Sequence, residues 1–191
     1  LLGSHKKFMK KIIIILFLSL TSCKTTTPNS NIDSLIEITM SAGDNAVTAL
    51  VAEDASSQVY ELMSNVKNTV VAGDLRKALE SYVNPIIEIF EQEYKKKYPI
   101  MHSPRTQQES LFYTLEGLLL SAVKGTEKKQ VNIYRVPYVF SEAYYLRGSL
   151  NISLGRLDLG KEALEQALAL APSNSLFLSE LGYIYQAENK F

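Results

Sequence analysis

A recurrence with a period of 34 residues, near the carboxyl end, constrains this chain more than any other feature. Residues 141–174 read as two short amphipathic helices closed by a proline. Shifted by 34 positions, Gly148 falls on Gly182 and Tyr145 falls on Ser179. A fixed period of that length is typical of helical hairpins that stack side by side. The sequence therefore predicts a helical array that presents an extended binding surface.

Residues 141–174 resemble the tetratricopeptide repeat (TPR) in the positions that give this motif its shape. The resemblance implies that Gly148 lets the two helices approach closely, that Gly155 forms the turn, and that Pro172 ends the second helix. The repeat signature consists of an aromatic residue, glycines, a late alanine and a closing proline: Tyr144, Gly148, Gly155, Ala167, Pro172 and, in the second unit, Gly182.

Three residues depart from the TPR pattern: Arg147, Asn151 and Gly160 replace a leucine, a tyrosine and an alanine. They indicate an amino-terminal repeat that packs on an unusual neighbour. The second unit stops at Phe191, after its first helix, so we expect a truncated array or one completed by another subunit. In that case Leu178, Leu181, Tyr185 and Ile184 would be partly bare, and self-association through the unpaired helix is a further expectation.

The TPR resemblance also implies a concave groove that holds a protein or peptide ligand. For each groove position, a simple solvated helix face is the alternative interpretation. The basic and amide residues with which one TPR subfamily clamps a terminal carboxylate are missing, so that ligand is not expected. The predicted partner groove consists of polar and aromatic side chains on the first helix of each unit: Glu142, Tyr145, Ser149, Ile152, Ser153, Ser179, Tyr183 and Gln186.

The middle of the chain predicts further helices. Residues 32–103 are interpreted as a helical, degenerate TPR-like region with a turn at Gly73 and Asp74 and a kink or new start at Pro85. Residues 32–40 fit either a strand or a helix, and helix is preferred. Residues 104–140 are predicted to form a helix with its apolar face at Leu111, Leu115, Leu118, Leu119 and Val123, followed by an extended connector.

The first residues of the chain resemble a bacterial lipoprotein signal. Lys10 and Lys11 precede a short apolar run that ends in Leu-Thr-Ser-Cys at Cys23. A run of nine residues is too short to span a bilayer as a helix. Residues 1–22 are therefore predicted to be a signal peptide, Cys23 the lipidated residue and residues 23–31 a flexible tether. Lys24 after the cysteine favours attachment to the outer membrane, with the protein facing the periplasm. Residues 1–8 precede Met9 and are interpreted as a misassigned start or as added residues.

Charge and residue types argue against several functions. Residues 1–22 hold four lysines and no acid, which leaves 16 basic against 20 acidic residues in the remainder. Nucleic-acid binding is therefore not expected, because it requires a basic face. The one histidine after residue 22, His102, has no zinc-binding or catalytic motif around it. The sequence predicts no metal, no cofactor and no enzyme.

Together these features predict an all-α fold, in which helical hairpins stack as a TPR-like α–α superhelix behind a disordered amino-terminal tether. Residues 141–191 would hold repeat one and the first helix of repeat two. The function favoured is a membrane-anchored periplasmic scaffold or envelope assembly factor. The alternative is an envelope hydrolase or ligand carrier with its site in residues 32–140 and the TPR as a docking arm.

Overall fold

The computed structural model describes residues 38–42, 45–123 and 130–187. The predicted signal peptide, Cys23 and the tether lie outside the described residues, as do residues 188–191. The fold is mostly helical and carries one small sheet. Its strands are β1 (Ile38–Ala42), β2 (Asn45–Val51), β3 (Met101–His102) and β4 (Gln130–Arg135). Its helices are α1 (Ser57–Val71), α2 (residues 75–94), α3 (Gln107–Val123), α4 (Tyr138–Ser153), α5 (Leu157–Leu170) and α6 (Ser175–Ala187).

Helices α1 and α2 form the first hairpin, with the turn that the sequence predicts. On α1, Val59, Met63 and Val66 are buried at helical spacing. Gly73 has φ +84°, a left-handed conformation that costs glycine little. The Asp74 side chain then accepts a hydrogen bond of 3.0 Å from the Lys77 amide and caps the start of α2.

Helix α2 runs past Pro85 without stopping. It alternates between α-helical and π-helical segments: Leu75–Lys77, Ala78–Val83 (π), Asn84–Ile89 and Phe90–Tyr94 (π). Pro85 has no amide hydrogen for the preceding turn, and the change from π to α bonding comes immediately before it. The structure therefore has a continuous helix with an altered hydrogen-bonding pattern at the place where the sequence predicts a kink or a new start.

Two predictions of helix are wrong where the structure has strands at residues 38–51. Residues 38–40 are extended rather than helical, and the region 32–103 is helical only from α1 onward within its described part. The sheet has the order β1-β2-β4-β3, with β1 and β2 antiparallel and both neighbours of β4 parallel to it. Thr39 faces Thr48 across β1 and β2, and their hydroxyl oxygens lie 3.2 Å apart. Branched side chains at such positions favour strands once a partner strand is available, and β4 supplies that partner for β2.

The predicted extended connector before residue 140 is strand β4, and α3 packs against the sheet beside it. A Cβ added at Gly117 would lie 2.5 Å from Ile133 Cδ1, so the helix and β4 are in close contact there. Leu118 is buried against Val47 and Ile133. The apolar face predicted for α3 is wrong in part, because Leu111 and Leu119 are 45% and 43% exposed. Leu118 is buried as predicted, but the other buried residues described on α3 are Ser110, Tyr113 and Thr114.

The main core joins the first hairpin to the second through aromatic rings. Phe140 at the start of α4 lies 5.1 Å from the ring of Phe90 and 4.6 Å from that of Tyr94 on α2. Tyr144 meets Phe90 edge to face at 5.9 Å. Aromatic pairs at such spacings contribute beyond their buried area. They hold α2 and α4 as neighbours in the order that a stack of hairpins requires.

Candidate protein-binding surface

The second hairpin, α4 and α5, is built on two glycines that face each other. A Cβ added at Gly148 would lie 2.7 Å from Leu164 Cγ, and one added at Gly160 would lie 2.6 Å from Ile152 Cγ1. Real side chains essentially never pack at those separations, so the two helices cross at a distance that only glycine permits. The turn between them is made at Gly155, which has φ +76°.

Helix α6 stacks on this hairpin as the first helix of a further unit. Phe177 and Ile184 are fully buried. The ring of Phe177 stacks on that of Tyr145 with 5.0 Å between centroids and 16° between planes. Asn174, itself buried, caps α6 through a 3.1 Å hydrogen bond from the Leu176 amide to its side-chain oxygen. The position of α6 relative to α4 is therefore fixed by an aromatic contact as well as by the chain connection.

The remaining signature residues lie at the places that a stacked hairpin gives them. Tyr144 is buried between α2 and α4, and Ala167 is completely buried on α5. Helix α5 ends at Leu170, before Pro172. Gly182, the counterpart of Gly148, differs from it, because an added Cβ would meet no atom within 4 Å among the described residues.

The three departures from the TPR pattern have local explanations. Gly160 is a glycine because Ile152 and the Gly148 carbonyl occupy the space of its missing side chain. Asn151 is buried and donates a 2.8 Å hydrogen bond to the Arg147 carbonyl, one turn earlier. Arg147 lies near the carboxylate of Glu91 on α2. Of the three departures, Arg147 therefore meets the neighbouring hairpin at α2, whereas Asn151 and Gly160 make their contacts within the repeat itself.

The predicted groove residues of α4 share one face of that helix. Glu142, Tyr145, Ser149, Ile152 and Ser153 lie within about 100° of one another when each residue advances about 100°. Ser153 is exposed and the others are half-buried. The carboxylate of Glu142 pairs with Lys67 of α1 at 3.6 Å. This face of α4 therefore adjoins the first hairpin at one end.

The groove residues of α6 are the most open part of the predicted surface. Ser179, Tyr183 and Gln186 are all exposed, with 61% of Tyr183 accessible. Tyr145 is more constrained, because its ring covers Phe177 and burial raises the pKa of its hydroxyl. Tyr183 is thus free to contact a partner, whereas Tyr145 contributes to the packing of α4 on α6. Phe177, which organises this contact, was missed in the sequence, although its spacing of seven residues from Ile184 marks a buried stripe.

Three of the four apolar residues of α6 that the sequence predicts to be partly exposed are so in the structure. Leu178 is 49% exposed, and Leu181 and Tyr185 are half-buried. Ile184 is completely buried instead, because it faces the hairpin. Leu176, at the start of the helix, is 47% exposed.

His102, which belongs to the region 32–140 of the alternative prediction, is not one of the predicted groove residues. Its ring packs against Tyr113 with 4.8 Å between centroids. Burial lowers its pKa against the opposing effects of Glu116 and the Leu170 backbone. Its Nδ1 atom is buried and has no hydrogen-bond partner in the described part of the chain.

Within residues 38–42, 45–123 and 130–187, three or more side chains of the metal-binding types do not come together. No helix in those ranges combines the length and apolar character needed to cross a bilayer.

The hairpins, the close glycine crossing and the stacked α6 define a helical-repeat protein. A family model described as Tetratricopeptide repeat matches residues 141–174. The chain therefore contains a TPR at the position that the sequence predicts, and such repeats are typically non-catalytic modules that bind proteins. No curated protein and no solved structure matches the chain.

Proposed function

We propose that this protein is a lipid-anchored scaffold or assembly factor of the bacterial cell envelope, which binds a protein partner on the groove side of its TPR. The observation that supports it best is the surface built by α4 and α6. The Tyr145–Phe177 stack holds α6 beside α4 and leaves Tyr183 61% exposed between Ser179 and Gln186.

The chemistry of this surface suits a peptide or helix of a partner protein. It offers an aromatic ring, small hydroxyl groups and an amide, and the partly bare Leu178 lies on the same helix. Tyrosine is enriched among residues that dominate protein interfaces, because it combines a large apolar ring with a hydrogen-bonding hydroxyl. Helical-repeat proteins use extended surfaces of this kind for recognition.

The membrane part of the proposal depends on residues outside the described ranges. The basic pair, the short apolar run and Cys23 occur in the order of a lipoprotein signal, and Lys24 favours the outer membrane. A lipidated amino terminus followed by a polar tether would place the TPR in the periplasm, close to the membrane. Stable attachment of this kind requires more than one acyl chain, which lipoprotein maturation supplies.

The groove is tested by crosslinking the intact protein in cell envelopes and identifying the captured partners. We compare wild type with Tyr183→Ala, because this residue is 61% exposed. Phe112→Ala is the matched control, since Phe112 is an aromatic residue on α3 that is 55% exposed and is not one of the predicted groove residues. We expect Tyr183→Ala to lose captured partners that Phe112→Ala retains. If both variants capture the same set as wild type, the groove is not the binding surface.

The anchor is tested separately by metabolic labelling with a radioactive fatty acid and by membrane fractionation. Wild type should incorporate label and sediment with the outer membrane, and Cys23→Ser should do neither. Label in the Cys23→Ser protein would refute the assigned lipidation site. A labelled wild type in the inner-membrane fraction would refute only the outer-membrane assignment.

A further inference from the structure

Helix α6 has a face, separate from the predicted groove, that the described part of the chain leaves open. When each residue advances about 100°, Leu178, Leu181, Gly182 and Tyr185 lie within about 100° of one another. Leu178 is 49% exposed, Gly182 is exposed, and the other two residues are half-buried. We call these four residues the open face of α6.

The open face is distinct from the two other faces of the same helix. Its centre lies roughly 120° from the centre of the groove residues and roughly 100° from that of the buried residues. The groove residues are Ser179, Tyr183 and Gln186, and the buried residues are Phe177 and Ile184. A molecule on the open face would therefore leave the groove accessible.

The preceding repeat shows what covers the same place on its own first helix. Gly148 lies one period of 34 residues before Gly182. At Gly148 the antiparallel helix α5 fills the space of the missing side chain, since an added Cβ would lie 2.7 Å from Leu164 Cγ and 3.1 Å from the Gly160 carbonyl oxygen. At Gly182 an added Cβ would meet no atom within 4 Å among the described residues. The place that a glycine-bearing, antiparallel helix occupies in one repeat is thus open in the next.

A second copy of α6 has the properties of such a helix. The crossing of α4 and α5 uses a glycine from each helix, Gly148 and Gly160. In the described helices these two glycines and Gly117 already contact a neighbouring element closely, and Gly182 alone has open space. A two-fold axis perpendicular to α6 at Gly182 would set two copies antiparallel and bring a glycine from each to the crossing.

The side chains around Gly182 suit this self-pairing. The open face carries no charged side chain, so two copies would meet without repulsion. Tyr185 is held at its edge by α5, because Lys161 Nζ lies 4.4 Å from the centroid of its ring and its hydroxyl lies 3.5 Å from a Glu165 carboxylate oxygen. Leu178 and Tyr185 stand four and three positions on either side of Gly182. In an antiparallel pair, Leu178 of one copy would therefore lie beside Tyr185 of the other.

We propose that this protein forms a two-fold dimer through the open face of α6. The two α6 helices cross at Gly182 as α4 and α5 cross at Gly148 and Gly160, and Leu178, Leu181 and Tyr185 pack around the crossing. This assigns a geometry to the self-association expected from the sequence. The inference goes beyond the proposed function and does not depend on it, because the groove lies on another face of α6.

The proposal is tested by sedimentation equilibrium of the full-length protein in a density-matched detergent, over a range of protein concentrations. Density matching removes the contribution of the detergent, so the measured mass is that of the protein. A contact of one helix from each copy is smaller than a standard interface, so we expect a weak dimer whose fraction rises with concentration. The mass should not exceed that of a dimer, because a two-fold contact is closed. A monomer at every concentration up to about 1 mM, or growth beyond the dimer, would overturn the proposal.

Two leucines of α6 provide a matched pair of variants. Leu178 and Leu176 are 49% and 47% exposed, but their side chains leave the helix about 160° apart. Leu178→Gln should raise the dissociation constant of the dimer about tenfold or more, because a two-fold dimer loses the apolar contact twice. Leu176→Gln should leave it nearly unchanged. Since both variants keep the same amino-terminal residues, equal dissociation constants would show that α6 is associated through another face or not at all.

Gly182→Leu tests the crossing itself. In the monomer the new side chain has open space, so urea denaturation at low protein concentration should find it as stable as wild type. In the dimer the same side chain would meet the other helix, and the dissociation constant should rise about tenfold or more. An unchanged dimer would show that the helices do not cross at Gly182. Tyr183→Ala should dimerise as wild type does, and a monomeric Tyr183→Ala protein would place the contact in the groove instead.

Discussion

Gly148 and Gly160 face each other where α4 crosses α5, and the relationship is reciprocal. A Cβ added at Gly148 would lie 3.1 Å from the Gly160 carbonyl oxygen, and a Cβ added at Gly160 would lie 3.1 Å from the Gly148 carbonyl oxygen. Each residue thus occupies the space that a side chain on the other helix would need. The hairpin of the matched repeat depends on both positions, including the one that departs from the TPR pattern.

We expect Gly148→Ala and Gly160→Ala each to lower the free energy of unfolding by about 1–3 kcal/mol, because the added methyl group meets backbone as well as side-chain atoms. Gly182→Ala is the control, since it lies on a helix with open space around it. There the alanine should stabilise the protein by up to about 1 kcal/mol through helix propensity. Urea denaturation measures all three, and a Gly148→Ala protein as stable as wild type would contradict the close crossing.

Gly155 provides a second prediction at the turn of the same hairpin. Its φ of +76° is unfavourable for residues with a Cβ, and no atom lies within 4 Å of an added one. Gly155→Ala should therefore lose about 1 kcal/mol through backbone strain alone. Gly155→Asn should lose less, because asparagine tolerates this conformation better. Equal losses in the two variants, measured by thermal unfolding, would show that strain is not the cause.

Much of the second hairpin could be predicted from the sequence because its determinants are local. Gly148, Gly155 and Pro172 act within one hairpin, and their spacing already indicates two helices and a turn. The turn at Gly73 and Asp74 was predictable for the same reason. The family match at residues 141–174 confirms the repeat.

The sheet could not be predicted in this way because its pairing is not local. Val47 on β2 pairs with Val131 on β4, far along the chain. Residues 38–40 carry signals for both strand and helix, and the presence of β2 and β4 decides between them. The face of α3 follows from the same contact, because the sheet selects Tyr113 and Leu118 over the bare Leu111.

Tyr144 on α4 and Glu91 on α2 connect the two hairpins. The Tyr144 hydroxyl donates a short hydrogen bond to the Glu91 carboxylate, which Lys95 also contacts. Burial alone would raise the pKa of Glu91, but these hydrogen bonds and the charges of Lys95 and Arg147 hold it below its ordinary value of 4.5. Tyr144→Phe should lower the free energy of unfolding by about 1 kcal/mol at neutral pH, as measured by urea denaturation.

The same contact predicts how stability changes with pH. Because the pKa of Glu91 is lower in the folded protein, its contribution to stability is complete above the unfolded value and disappears as the pH falls through the folded value. Wild type should therefore lose more stability than Glu91→Gln between pH 6 and pH 3. Stability is measured by urea denaturation at each pH. Parallel pH profiles for the two proteins would show that the partners of Glu91 do not lower its pKa in the folded protein.

Asn174 gives the last prediction, at the junction between the matched repeat and α6. Its side-chain oxygen accepts from the Leu176 amide at 3.1 Å, and its side-chain nitrogen donates to the Tyr138 hydroxyl at 3.2 Å. Asn174→Ala removes both bonds and should lower the free energy of unfolding by about 1–2 kcal/mol through loss of the cap. Tyr138→Phe removes only the second bond and should cost about 1 kcal/mol or less. If Tyr138→Phe is as damaging as Asn174→Ala in urea denaturation, the cap is not what holds α6 in place.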